Sequence, residues 1–191
     1  EKNYNKFAIL YRTNSQSRAF EDALRLKNIP YIVVSGMSFY SRQEIKNVLA
    51  YFKLVVNNQD NEAFERIVNY PARGIGQTTI SRLKIASAEN NLSLFDTIYR
   101  VDLKNYNINS ATQSKLLAFC DYIKAFTANI YNKNAFELGE EIVRTCRIKE
   151  TLKEENTAEN IDRINNIDEL VNSLQSFIEN EEESILNETT G

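Results

Sequence analysis

The sequence predicts a mainly α chain that opens with a short βαβ unit. Three observations carry this reading. Only 2 Pro and 5 Gly occur in 191 residues, which favours long uninterrupted helices over a turn-rich β fold. From about residue 45 onward, apolar residues recur at helical spacing. Before that, two short β-branched and aromatic runs flank one helical stretch.

The first run is Phe7, Ala8, Ile9, Leu10 and Tyr11, too short for a helix and suited to a strand buried on both faces. Thr13, Asn14, Ser15 and Gln16 follow as a cluster of capping residues. They predict a helix to about Asn28 with Phe20, Ala23 and Leu24 on its inner stripe, ended by Ile29 and Pro30. Residues 31–34 read as a second strand, parallel to the first. Two strands alone make no stable sheet, so the unit is expected to be part of a larger one. The chain begins without Met and ends in a polar tail, and it reads as a piece of a longer protein.

After Ser35 and Gly36 the pattern becomes helical. Ser41 and Glu44 have the form of a capping box, followed by Ile45, Val48, Leu49, Phe52, Val55 and Val56 at helical spacing. Asp60 caps a short helix with Ala63, Phe64, Ile67 and Val68 inside. Pro71, Gly74, Ile75 and Gly76 interrupt it, and a helix resumes near Thr78 through Ile80, Leu83 and Ala86. Ser93 starts a segment with Leu94, Phe95 and Ile98 inside. A long helix over about 109–131 aligns Leu116, Phe119, Ile123, Phe126 and Ile130, and another runs from Ala135 to Cys146. Ile161, Ile164, Asp168, Val171, Leu174 and Ile178 mark one face of a last long helix, with Asp168 at its edge.

Composition excludes several chemistries. With no His, there is no His-based acid–base catalysis, Ser-His-Asp triad or His-ligated metal. Cys120 and Cys146, the only cysteines, are too few for a four-Cys zinc site and read as small core residues in a reducing, cytoplasmic setting. No apolar run approaches a membrane span, so no membrane partner is expected. The sequence has no Gly-x-x-x-x-Gly-Lys-Ser/Thr phosphate loop, so the chain by itself is not expected to be catalytic. The net charge of −3 hides a split: residues 1–90 carry 13 Lys+Arg against 8 Asp+Glu, and the remainder carries the acidic excess. That asymmetry points the first half toward a polyanion, although compositional scatter also accounts for it.

Three stretches carry candidate phosphate contacts. In the first, Arg12 and Arg18 offer charge-assisted donors to phosphate, while Asn14, Gln16 and Ser17 offer bonds to phosphate or base edges. Helix capping with solvated arginines is the alternative. In the second, Gly74, Ile75 and Gly76 lie between two short helices, the form of a helix-hairpin-helix element. The glycines allow a tight turn against a phosphate, Ile75 anchors it, Arg73 supplies charge, and Thr78 and Thr79 offer hydroxyls at a helix start. An ordinary turn between helices fits the same residues. In the third, Arg42 and Lys46 share one helix face within reach of a phosphate, behind the Phe39–Tyr40 pair, which fits a core staple equally well.

The blocks YRTNSQSR, NIPYIVVSGMSFYSRQEIKNVLAYFKLVVN, PARGIGQTTI and ENIDRINNIDEL, in this order, resemble successive blocks of UvrD/Rep/PcrA-like superfamily I DNA helicases. The likeness covers nearly the whole chain and is strongest over residues 7–90. It implies that residues 1–36 belong to the second RecA-like motor domain, as a piece of its parallel sheet. Residues 37–191 would be the helical insertion subdomain labelled 2B. It also implies that Arg12 and Asn14 touch the tracked single strand and that the Gly74-Ile75-Gly76 hairpin holds the duplex ahead of the fork. The parent enzyme would move 3′ to 5′ with ATP and Mg²⁺ and work with repair or replication proteins. Its phosphate loop would lie outside this chain. Residues 100–155 match loosely, and no functional residue is carried over from them. Two other classes remain open: a protein-interaction or autoinhibitory helical module, and a helix-hairpin-helix module of another DNA repair protein. The first would keep its partner when Arg73 and Gly76 are replaced; the βαβ unit argues against the second.

Overall fold

A computed structural model describes residues 4–12, 17–34 and 38–189. The described residues are mainly helical, and no strand occurs among them. The chain divides into two compact units, Glu1–Lys46 and Asn47–Gly191.

The first unit holds a 3₁₀ turn at Tyr4–Lys6, helix α1 (Ser17–Leu26) and a second 3₁₀ turn at Phe39–Ser41. The βαβ unit expected as a piece of a RecA-like parallel sheet is not formed. Residues 7–11 and 31–34 enter no ladder, and Leu10 and Ile32 are 94% and 89% exposed. A parallel pair is stable only with further strands beside it and helices over both faces, and these two segments have neither. Helix α1 therefore has no sheet to cover. Its expected inner stripe, Phe20, Ala23 and Leu24, stays wholly or partly exposed, and Ser17, Arg18 and Glu21 are buried instead.

A polar cluster holds this unit together. The Glu21 carboxylate accepts bonds from the Ser38 hydroxyl, the Phe39 amide at 3.2 Å and the Tyr31 hydroxyl at 3.0 Å. Burial alone would raise its pKa, but these bonds and one from Ser17 outweigh burial and hold it below the ordinary value. Arg25 lies 4.1 Å from the centre of the Tyr40 ring, and the Tyr40 hydroxyl donates to Asp22 at 2.8 Å. Burial, with that bond, pushes the Tyr40 phenol up to about 12.

Helix α2 (Gln43–Val56) leads into the second unit. It starts one residue later than a capping box at Ser41 would set it. The Ser41 hydroxyl instead donates to the Ser38 carbonyl at 2.7 Å inside the preceding 3₁₀ turn. Val48 and Val55 are buried as their spacing predicts, Val56 is exposed at the helix end, and Tyr51 and Leu54 are fully buried. Then come α3 (Asn61–Ile67), α4 (Gln77–Asn90), α5 (Leu94–Arg100) and α6 (Ser110–Ala128). The side chains of Asp60, Ser93 and Asn109 cap α3, α5 and α6 by accepting an amide of the first turn. Helix α5 packs on α3, α4 and α6, and Phe64 meets Phe119 edge to face with ring centres 5.5 Å apart.

Helix α7 (Ala135–Thr145) opens with a true capping box, Asn134 with Glu137, and packs on α8 (Ile148–Glu154) and α9 (Ala158–Thr189). The last stripe differs from expectation. Val171 is buried as expected, but Ile161 is exposed and Asn160, Ile167 and Leu170 are buried too. Both α7 and α8 lie on α9, so two neighbours rather than one set its inner face. Asp168 sits half-buried at the edge of that face, paired with Lys149. Cys120 and Cys146 are free and buried.

Candidate nucleic-acid interface

The turn between α3 and α4 is built by a few side chains acting on its backbone. The Asn69 side-chain carbonyl accepts the amides of Arg73 at 2.8 Å and Ile75 at 3.0 Å. An Asn bonding backbone ahead of itself is a common turn device. Ile75 is 1% exposed and fixes the tip in the core. Gly74 has φ +68, a left-handed conformation that a side chain disfavours. Gly76 is the N-cap of α4 and has no side chain with which to cap it. Thr79 donates its amide to the Gly76 carbonyl at 2.9 Å. The amides of Gly76, Gln77 and Thr78 meet no acceptor among the described residues, and all three residues are exposed. Three free N–H groups at the start of a 14-residue helix form an anion-attracting edge, reinforced by the helix dipole.

Arg73 does not do what the sequence suggests. Its guanidinium turns inward. Nη1 lies 3.0, 3.4, 2.9 and 3.1 Å from the carbonyls of Ile67, Val68, Tyr70 and Pro71, and Nη2 donates to the Tyr51 hydroxyl at 2.7 Å. Its carbon centre sits 5.0 Å from the centre of the Phe119 ring. The Tyr51 hydroxyl in turn donates to the Tyr70 carbonyl. Burial pushes the Tyr51 phenol well above its ordinary range, so it remains a protonated donor. The cation beside the turn is Lys115 of α6, whose Nζ lies 3.5 Å from the Gly74 carbonyl and 2.7 Å from where a Gly74 Cβ would stand. Lys115 is exposed. Two nearby cations are tied elsewhere, Lys84 to Glu65 at 3.0 Å and Arg82 to the Asn107 carbonyl at 2.7 Å.

The other candidates distribute unevenly. Asn14 and Gln16 lie outside the described residues. Arg12 is exposed. Ser17 and Arg18 are buried, with Arg18 3.4 Å from Asp22 and 4.9 Å from the centre of the Phe39 ring, so neither presents its polar group to a phosphate. Arg42 is half-buried over the same ring at 5.5 Å, and Lys46 is exposed. Thr78 is exposed, and Thr79 is half-buried. Sequence reasoning missed Asn69, Tyr51, Gln77 and Lys115. The pattern Asn-Tyr-Pro is a turn signal that points to Asn69. Nothing local marks Lys115, which lies 41 residues beyond Gly74.

The chain belongs to the UvrD-like helicase C-terminal domain family, whose model matches residues 1–189. Among its relatives is the ATP-dependent DNA helicase PcrA of Staphylococcus aureus, 33% identical over 97% of this chain. The PcrA helicase of Staphylococcus epidermidis is also 33% identical over 97%. The match covers 26% of each relative, so the chain spans about a quarter of their length. No helix among the described residues is long and apolar enough to cross a membrane.

Proposed function

We propose that the second unit grips the sugar-phosphate backbone of duplex DNA on behalf of an ATP-dependent 3′-to-5′ DNA helicase. The observation that carries this reading is the row of exposed, acceptor-free amides at Gly76, Gln77 and Thr78. Phosphate oxygens are strong acceptors matched to such amides at a helix start. Lys115 supplies the adjacent positive charge, and the Thr78 hydroxyl lies on the same exposed turn. Contacts of this kind follow backbone shape and carry no base preference. Membership of the UvrD-like family and likeness to proteins named as DNA helicases support DNA as the polyanion.

In this proposal residues 37–191 are the inserted helical subdomain, and Arg12 with Asn14 touches the single strand. Lys46 adds charge on α2, and Arg42 adds charge just ahead of that helix. Repair or replication proteins are the partners of the parent enzyme. ATP and Mg²⁺ act there too, in this proposal on residues outside this chain. The sequence has no phosphate loop, and the described residues hold no group of three or more Cys, Asp or Glu that could bind a metal. The test is fluorescence anisotropy of the chain with a labelled duplex at low and high salt. Weak, salt-sensitive binding indifferent to sequence is expected; no binding at low salt would refute the reading.

A further inference from the structure

We propose that Arg73 is a positioning residue of the duplex grip and not a phosphate ligand, holding the hairpin through Tyr51 and the carbonyls at the end of α3. This inference rests on the hairpin reading above and adds how the hairpin is held.

The argument starts from the end of a helix, where the last carbonyls lack intrahelical donors. Helix α3 ends at Ile67 and is followed at once by a turn, in which the Ile67 carbonyl takes the Tyr70 amide at 2.9 Å and the carbonyls of Val68, Tyr70 and Pro71 turn to side-chain donors. A guanidinium offers five N–H groups in a rigid plane, and here the two hydrogens of Nη1 face a cluster of four carbonyls while Nη2 donates to the Tyr51 hydroxyl. Tyr51 is wholly buried, so it cannot touch DNA, yet it stands at the root of the turn. The Phe119 ring lies against the guanidinium.

The peptide planes from 67 to 71 are thereby fixed from inside. Asn69 fixes the amides of Arg73 and Ile75, leaving those of Gly76, Gln77 and Thr78 to face outward. A lysine has the same charge but only a point ammonium, which cannot span four carbonyls and a phenol.

The test compares duplex affinity against salt for the full chain and its Tyr51→Phe, Arg73→Met and Arg73→Lys variants, with circular dichroism to confirm folding. A positioning role lowers affinity in all three, by about threefold or more for the loss in Tyr51→Phe of the hydroxyl that accepts from Arg73 and donates to the Tyr70 carbonyl. The slope of log affinity on log salt stays that of the parent, because no phosphate loses its cation. The Tyr51→Phe/Arg73→Met double variant loses less than the sum of the two single losses, since both act through one device. A slope reduced by about one in Arg73→Met, restored by Arg73→Lys, would make Arg73 a direct ligand and overturn the proposal. Unchanged affinity in Tyr51→Phe and Arg73→Met would overturn it as well. Gln77→Pro and Lys115→Ala separate the two levels: if they weaken binding while the Arg73 and Tyr51 variants do not, only the positioning role falls. If none of these changes matters, the hairpin reading falls with it. Should Arg73→Met fail to fold, Tyr51→Phe alone decides.

Discussion

Replacing Gln77 by proline removes one outward amide and leaves the rest of the hairpin as it is. Gln77 is the first residue of α4, the helical position where proline is best tolerated, because its fixed φ suits the helix and its missing N–H has no intrahelical partner. The preceding residue must be extended, and Gly76 already has φ −81 and ψ 164. Folding stability should therefore change by less than about 1 kcal/mol, in the stabilising direction. Binding is different. A hydrogen bond from an amide to a charged phosphate contributes about 1.5–3 kcal/mol, which is roughly tenfold to a hundredfold in Kd. Gln77→Ala keeps the amide and controls for the side chain. The assay is anisotropy of a labelled duplex across a salt series, with thermal melting by circular dichroism. The salt slope should match that of the parent, since an amide displaces no counterion. If Gln77→Pro melts like the parent and binds within twofold of Gln77→Ala, those amides do not hold DNA.

Three further outcomes follow from particular contacts. Lys115→Ala should weaken duplex binding and reduce the salt slope by about one, because a cation is removed rather than a neutral donor; an unchanged slope would place Lys115 outside the interface. Gly139→Ala should lower the melting temperature, at a cost of about 1–3 kcal/mol. Its new Cβ would stand 3.0 Å from the tip of Leu174 and 3.3 Å from the tip of the Phe52 ring, two half-buried side chains that would have to shift. Glu21 has a depressed pKa in the folded chain, so its contribution is present above the ordinary carboxylate value and is lost as pH falls through the depressed one. Acid titration of the Tyr31, Tyr40 and Phe39 environment should show this loss, and Glu21→Gln should flatten it; an identical titration in the variant would refute the linkage.

The sequence alone determined what depends on neighbours within a turn or two. Asp60, Ser93 and Asn109 stand where helices begin, and each caps its helix. Ala63, Phe64, Ile67 and Val68 are all buried, as are Leu116, Phe119, Ile123 and Phe126, because helical periodicity is a local property. The Gly74-Ile75-Gly76 turn was legible too: one glycine takes a positive φ and the isoleucine is buried.

Only the tertiary structure decided the rest. A strand exists only through its partners, so the β-branched runs at 7–11 and 31–34 remained unpaired despite their composition. Without a sheet, α1 buried its polar face around Glu21 rather than its apolar stripe. Arg73 turned inward because Tyr51, 22 residues earlier, and the carbonyls ending α3 met it there. Lys115 took the place beside Gly74 because α6 lies along the turn. A side chain's local spacing fixes which face of its helix it occupies, but what it meets on that face depends on packing between distant segments.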